Sequence, residues 1–278
     1  MSARAPFRLA ELARHAVLLL TASIVLLPFV WMVSLSLKPQ GEVFQGTFSF
    51  LPERWHAIEN YTRALTAVPV PRFLLNGVIV CGSILILQIL VCAPAAYALA
   101  KLRFHGREAL FALVLIGLLI PHQVLALPRY ILGYQLGILN TYAALIFPFI
   151  VSPFGIFLFR QFFKTIPDDI VHAARLDGLS EFAIVWRVMV PMALPAVVAF
   201  SIFSVVSHWN DLFWPLIAVR AEELMPPPLG VVAFRNEEVG SDFGPLMAGA
   251  TLIVAPLVVA FRAAQRWFIE GLTQGAVK

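Results

Sequence analysis

Six histidines, at positions 15, 56, 105, 122, 172 and 208, are the side chains best able to carry a proton or hold a metal near neutral pH. No two stand four residues apart and no H-E-x-x-H occurs, so no helix face offers the imidazole pair that such a zinc site needs. A phosphate-cradling G-x-x-x-x-G-K-[ST] loop is absent, and so is a G-x-S-x-G elbow; Gly178-Leu179-Ser180 has only the first part of one and lies among charges. Cys81 and Cys92, the only cysteines, would sit about 16 Å apart on a helix, beyond disulfide reach, and read as small packing residues. The polar residues do form an island. Pro167-Asp168-Asp169 opens a helix with acids at its positive end, and Ile170–Leu176 continues it. Asp177-Gly178 turns it off where a left-handed backbone suits glycine, and Ser180 caps a second short helix. Ala173 and Ala174 leave a low-relief surface that another protein can approach. The chemistry on offer is docking: Asp168, Asp169, Asp177 and Glu181 would be repelled by an anionic bilayer surface, which argues against a loop resting on lipid.

The elements that position this island are apolar. Of 278 residues, 60% are hydrophobic and only 13% charged, against about 25% charged in a soluble domain. The apolar residues fall in long uncharged runs rather than periodic stripes. A bilayer crossing needs about 20 such residues, and the runs predict six spans, at about 16–37, 73–100, 109–128, 141–159, 188–219 and 243–261. The polar segment 160–187 separates the fourth from the fifth, and the chain reads as one membrane domain over 1–278. With the N-terminus inside, 13 Lys and Arg fall on the inner side and 7 on the outer, which places both termini and the island in the cytoplasm. The +4 formal charge is this topology signal and not a nucleic-acid footprint. Prolines 28, 94, 121, 148, 153, 215 and 256 stand inside the spans; each frees a carbonyl that lipid cannot satisfy. Polar side chains inside spans are candidates for a substrate path: His208, Trp209, Asn210, Asp211 and Trp214 in the fifth, Asn76 in the second, with Gln88, His122 and Gln123 weaker. The alternative role of such residues is glue between helices.

The island Val171-His172-Ala173-Ala174-Arg175-Leu176-Asp177-Gly178-Leu179-Ser180, with Val190-Pro191 and Leu194-Pro195 behind it, resembles the coupling loop of permease subunits in ABC importers, roughly E-A-A-x-x-D-G-A-S. The likeness covers nearly the whole chain and is to carbohydrate-type permeases of the maltose/glycerol-phosphate class. Ser34-Leu35-Ser36-Leu37-Lys38-Pro39, Asn60-Tyr61, Ala95-Ala96-Tyr97-Ala98-Leu99-Ala100, Phe159-Arg160-Gln161-Phe162-Phe163, Trp209-Asn210-Asp211, Trp214-Pro215-Leu216 and Glu270-Gly271-Leu272-Thr273 follow in family order. His172 stands where the family has its first Glu, and Leu179 where it has Ala.

The resemblance implies an all-α integral membrane protein: six transmembrane helices of the type I ABC importer permease fold, with a cytoplasmic coupling helix between helices 4 and 5, in a bacterial or archaeal inner membrane. It implies one half of the pathway of an ATP-driven, binding-protein-dependent sugar importer, with no catalysis and no cofactor in this chain. ATP and Mg would be held by a partner ATPase. The implied partners are a second homologous permease, two ATPase subunits and an external substrate-binding protein. His172 through Ser180, with Phe182, would contact the ATPase. Glycerol phosphate, another polyol or an amino-sugar is the alternative cargo, although no cationic anchor is expected in the cavity to hold a phosphate. A stand-alone secondary transporter would show inverted repeats and an intramembrane coupling carboxylate, and a membrane-embedded enzyme would show one of the missing motifs.

Overall fold

The computed structural model describes residues 5–43, 49–232 and 242–274. Arg4, Arg235 and Lys278, counted in the topology reading, lie outside them. Among the described residues every regular element is a helix. In chain order the main ones are α1 (Ala5–Ser36), α2 (Ala57–Ala67), α3 (Val70–Lys101), α4 (Arg107–Leu119), α5 (Ala126–Gln135), α6 (Tyr142–Ile146), α7 (Pro153–Thr165) and α8 (Asp168–Leu176). They continue with α9 (Glu181–Ile184), which runs through a π turn at Val185–Met189, then α10 (Leu194–Trp209), α11 (Phe213–Ala218), α12 (Pro227–Val232) and α13 (Phe243–Gln274).

Three stretches, Glu11–Ser36, Val70–Lys101 and Phe243–Ala263, are long and apolar enough to cross a membrane alone. The other three crossings expected from the sequence are bent pairs instead: α4 with 122–135 at 99°, 142–149 with α7 at 42°, and 181–192 with α10 at 84°. Proline is the cause at each break. Ile120 (ψ 116°) and Ser152 (ψ 109°) are extended and stand directly before Pro121 and Pro153, whose rings disfavour a helical predecessor. Ala193 leaves the helix between Pro191 and Pro195. The expected fifth span of 188–219 is further corrected at its far end: the helix stops at Trp209, and α11 restarts at Phe213.

The chain divides into two compact units, Met1–Pro69 with Ala233–Ala255, and Val70–Val232 with Pro256–Lys278. In the first, α1 presents exposed apolar side chains from Leu12 to Val30. Its C-terminal end is tied down: Asn60 on α2 is buried and donates to the carbonyls of Ser36 and Lys38, at 2.9 and 2.8 Å. Arg63 pairs with Asp242 in the same unit.

The second unit packs α3 against α7 and α10. Its larger core joins Cys92, Ala96 and Tyr97 of α3 to Phe159 and Phe163 of α7, Val171 and Ala174 of α8, and Phe200 of α10. Within it, carbonyls orphaned by proline find side-chain donors. Pro153 cannot bond Phe149 O, and Gln88 Nε2 takes it at 2.9 Å. Pro148 leaves Ala144 O to Trp214 Nε1, also at 2.9 Å. In the connection before α12, Asn76 Nδ2 likewise takes the free carbonyls of Glu223 and Met225, both at 2.9 Å. A proline in a span is tolerable where a neighbouring helix supplies the missing donor, and here the donor is a named side chain each time.

Candidate functional site

The island folds as its residue types require. α8 carries Asp168 and Asp169 in its first turn and Arg175 in its last, each complementing the helix dipole. It closes in a Schellman arrangement: Leu179 N–H bonds Ala174 O at 3.1 Å and Gly178 N–H bonds Arg175 O at 3.0 Å. Gly178 sits at φ +81° with open space where a Cβ would go, so backbone conformation rather than room demands glycine. Ser180 Oγ then accepts the Ala183 N–H at 3.3 Å and starts α9.

Two faces result. Val171 and Ala174 are buried in the unit's core, and Leu179 is partly buried against it. His172, Ala173, Asp177, Gly178 and Ser180 are exposed, and so are Leu176 at 89% and Phe182 at 65%. The expected low-relief pair is therefore corrected to Ala173 alone, since Ala174 faces inward. Leu176 and Phe182 supply the apolar part of the exposed face instead.

The end of α3 holds the island at two points. Lys101, with its side chain only 5% exposed, donates to Asp168 and to the Ile166 carbonyl, both at 2.5 Å. Its hydrogen bond and charge hold the Asp168 carboxyl below the usual carboxylate range. Tyr97, buried, donates its hydroxyl to Glu181, and Glu181 accepts from Arg175 Nε at 2.7 Å and Nη2 at 3.2 Å. The hydrogen bond to Glu181 raises the Arg175 pKa further. The exposed ion pairs contribute little by themselves. The weight lies on the buried ends, Lys101 and Tyr97: a buried polar group left without its partner costs about 1–3 kcal/mol. Arg160, buried, completes the junction: it donates to Leu99 O at 3.1 Å and stacks 3.6 Å from the Phe111 ring centre. Arg175, expected on the docking face, is thus partly engaged inside the chain. Tyr97 and Lys101 were missed in the sequence, although their spacing of four on one helix face was the available signal.

A second constellation lies within the same unit. A cavity of about 400 Å³ is lined by Gln88, His122, Arg129, Phe149, Ser204 and His208 among others. A neighbouring one of about 170 Å³ shares His122, Arg129, Phe149 and His208 and adds Gln123 and Asp211. The proline break at Phe147–Phe149 aims the Phe149 ring into this space. Around it stand Arg129, 4.9 Å from the ring centre, and the His208 and His122 rings at 4.8 and 6.5 Å. Gln88 is fixed at both ends, its oxygen accepting from Ser204 at 2.6 Å.

The residues expected along a substrate path separate here. His208 and Asp211 line the cavity. Asn76 does not: it is fully buried, and both amide ends are used, on Glu223 O, Met225 O and the Tyr142 hydroxyl. Trp209 is buried against Gly77, where a Cβ would meet its ring at 3.0 Å and Pro227 at 2.7 Å. Trp214 is 3% exposed, with its indole N–H on Ala144 O; one edge reaches the smaller cavity. Asn210 is exposed and bonds back to Val206 O at 2.8 Å. Within this chain Asn76 is engaged by the Glu223 and Met225 carbonyls and Trp209 by the close helix approach at Gly77. The expectation of no cationic anchor is corrected: Arg129 lines both cavities.

Comparison with known proteins fits this geometry. The profile of the family described as binding-protein-dependent transport system inner membrane component matches residues 90–274. An arabinooligosaccharides transport system permease protein of Halalkalibacterium halodurans is 34% identical over 92% of both chains. A diacetylchitobiose uptake system permease protein of Streptomyces coelicolor is 33% identical over 95% of this chain and 88% of its own. A lactose transport system permease protein of Rhizobium radiobacter is 31% identical over 98% and 97%. Among solved structures, a chain of a bacterial ABC transporter involved in the import of the acidic polysaccharide alginate superposes with a TM-score of 0.84, covering 96% of this chain and 99% of that one at 24% identity. With the broken spans and the Schellman-closed island between the fourth and fifth, the fold is that of a type I ABC importer permease, and the chain belongs to the binding-protein-dependent transport system inner membrane component family.

Proposed function

We propose that this chain forms one half of the translocation pathway of an ATP-driven sugar importer. It pairs with a second permease, the pair docks two ATPase subunits that hold ATP and Mg, one on each island, and sugar arrives from an external binding protein. The carrying observation is the island: an exposed face of His172, Ala173, Leu176 and Phe182 on a helix clamped through Lys101 and Tyr97 to the end of α3. A push on that face moves α3 with it, and α3 lines the cavity through Gln88. The sugar class is supported by the relatives named for arabinooligosaccharides, diacetylchitobiose and lactose. In this reading the chain is a single membrane domain with both termini and the island in the cytoplasm, and His208 and Asp211 face the sugar.

Reconstitution of the chain with its partner permease, ATPase and binding protein into liposomes tests it. Uptake of sugar should require ATP and the binding protein together. Uptake driven by an ion gradient without ATP would overturn the proposal in favour of a secondary transporter.

A further inference from the structure

We infer that the sugar carried by this permease bears an anionic group, a carboxylate or a phosphate, and that Arg129 receives it. The inference rests on the reading of the chain as a sugar permease and concerns the class of cargo. Among the described residues Arg129 donates no hydrogen bond and makes no ion pair; its close contact is the Phe149 ring. Arg129 stands just beyond the outer end of the third predicted span, half-buried beside the cavity, and a guanidinium carries five donors in a fork that matches a carboxylate or phosphate.

Of the groups facing Arg129, Asp211 attracts it across the cavity but makes no direct ion pair with it. His122 and His208 are basic or neutral, and Gln123 and Ser207 are neutral. Asp211 is the only carboxylate among the described residues that line either cavity, and its Oδ1 accepts the Trp214 N–H at 3.3 Å, capping α11. Asp211 thus serves the fold as well as the cavity, whereas Arg129 is held in place by an aromatic face that leaves its edge donors open. The space is large enough for a sugar: about 400 Å³ lies within the roughly 300–1,000 Å³ of small-molecule sites. Phe149 offers a ring face, and Gln123 and Ser207 offer groups for hydroxyls.

The test uses the full chain, co-expressed with its partner permease and purified into phosphatidylcholine nanodiscs. Binding of glucuronate, glucose 6-phosphate and glucose is measured for wild type, Arg129→Gln and Arg129→Lys. At least one acid should bind about tenfold more tightly than glucose, and which acid does so separates carboxylate from phosphate recognition. Arg129→Gln should remove that advantage by weakening acid binding far more than glucose binding, while Arg129→Lys keeps part of it. Added salt should erode the advantage in wild type, a reading that needs no variant to fold. Equal binding of acids and glucose, an acid preference that survives Arg129→Gln, or no saturable binding of either acid would overturn the inference. So would loss of bound phosphatidylglycerol in Arg129→Gln with sugar binding unaltered, which would make Arg129 a lipid anchor. ATP-driven uptake of a neutral sugar without acid preference leaves the importer standing and removes only this inference; acid binding without ATP-driven uptake does the reverse.

Discussion

Gly178 and His172 carry the sharpest expectations at the scale of single residues. Gly178 is held at φ +81° by two hydrogen bonds of the Schellman closure. A β-branched side chain there should cost about 1–3 kcal/mol, local to the turn that presents the docking face. Gly178→Val should insert at normal levels in the membrane yet lose most transport and ATPase stimulation; normal uptake would mean that the turn is not part of the coupling surface. His172 is exposed on that face, 3.5 Å from Arg175 through its Nδ1. It stands where the resemblance places an acid. His172→Ala and His172→Glu should therefore differ in ATPase co-purification, and the difference should shrink in high salt. Tight, identical, salt-insensitive assembly in both would remove residue 172 from the interface.

The elements are held by polar side chains placed where proline breaks the helices. Gln88→Leu strands the Phe149 carbonyl and the Ser204 hydroxyl together. The expected loss is about 1–3 kcal/mol, toward the lower end because hydrogen bonds between transmembrane helices measure small. Thermal unfolding in detergent should show a clear drop for Gln88→Leu and a smaller one for Ser204→Ala. The island has its own pH dependence. The Asp168 carboxyl is depressed by Lys101, so its contribution is complete above the ordinary carboxylate pKa and is lost as pH falls through the depressed value. The amide-exchange protection factor over the first turn of α8, corrected for the intrinsic pH dependence of exchange, should be flat through the neutral range and fall only in acid, below the ordinary carboxylate range. In Asp168→Asn that acid step should vanish.

For the whole molecule, orientation is the expectation to check first. In a background lacking Cys81 and Cys92, an impermeant thiol reagent added outside should label Glu53→Cys and spare Asp177→Cys. Both positions are exposed in the structure, so a reversed pattern would invert the topology rather than report burial.

The sequence alone settled what depends on composition and local order. Uncharged runs near bilayer length marked the six crossings, because lipid excludes charge over a fixed thickness. The island was legible down to its caps, because Pro167, Gly178 and Ser180 act through backbone geometry within a few residues. Tertiary structure decided where long-range partners are needed. That Asn76 and Trp214 direct their donors to carbonyls near prolines 227 and 148 depends on which helices meet. That Ala174 turns inward while Leu176 turns out depends on the face α8 lays against α3 and α7. Arg129 reads in one dimension as an interruption between two spans; only the bend at Pro121 carries it back over Phe149 and into the cavity.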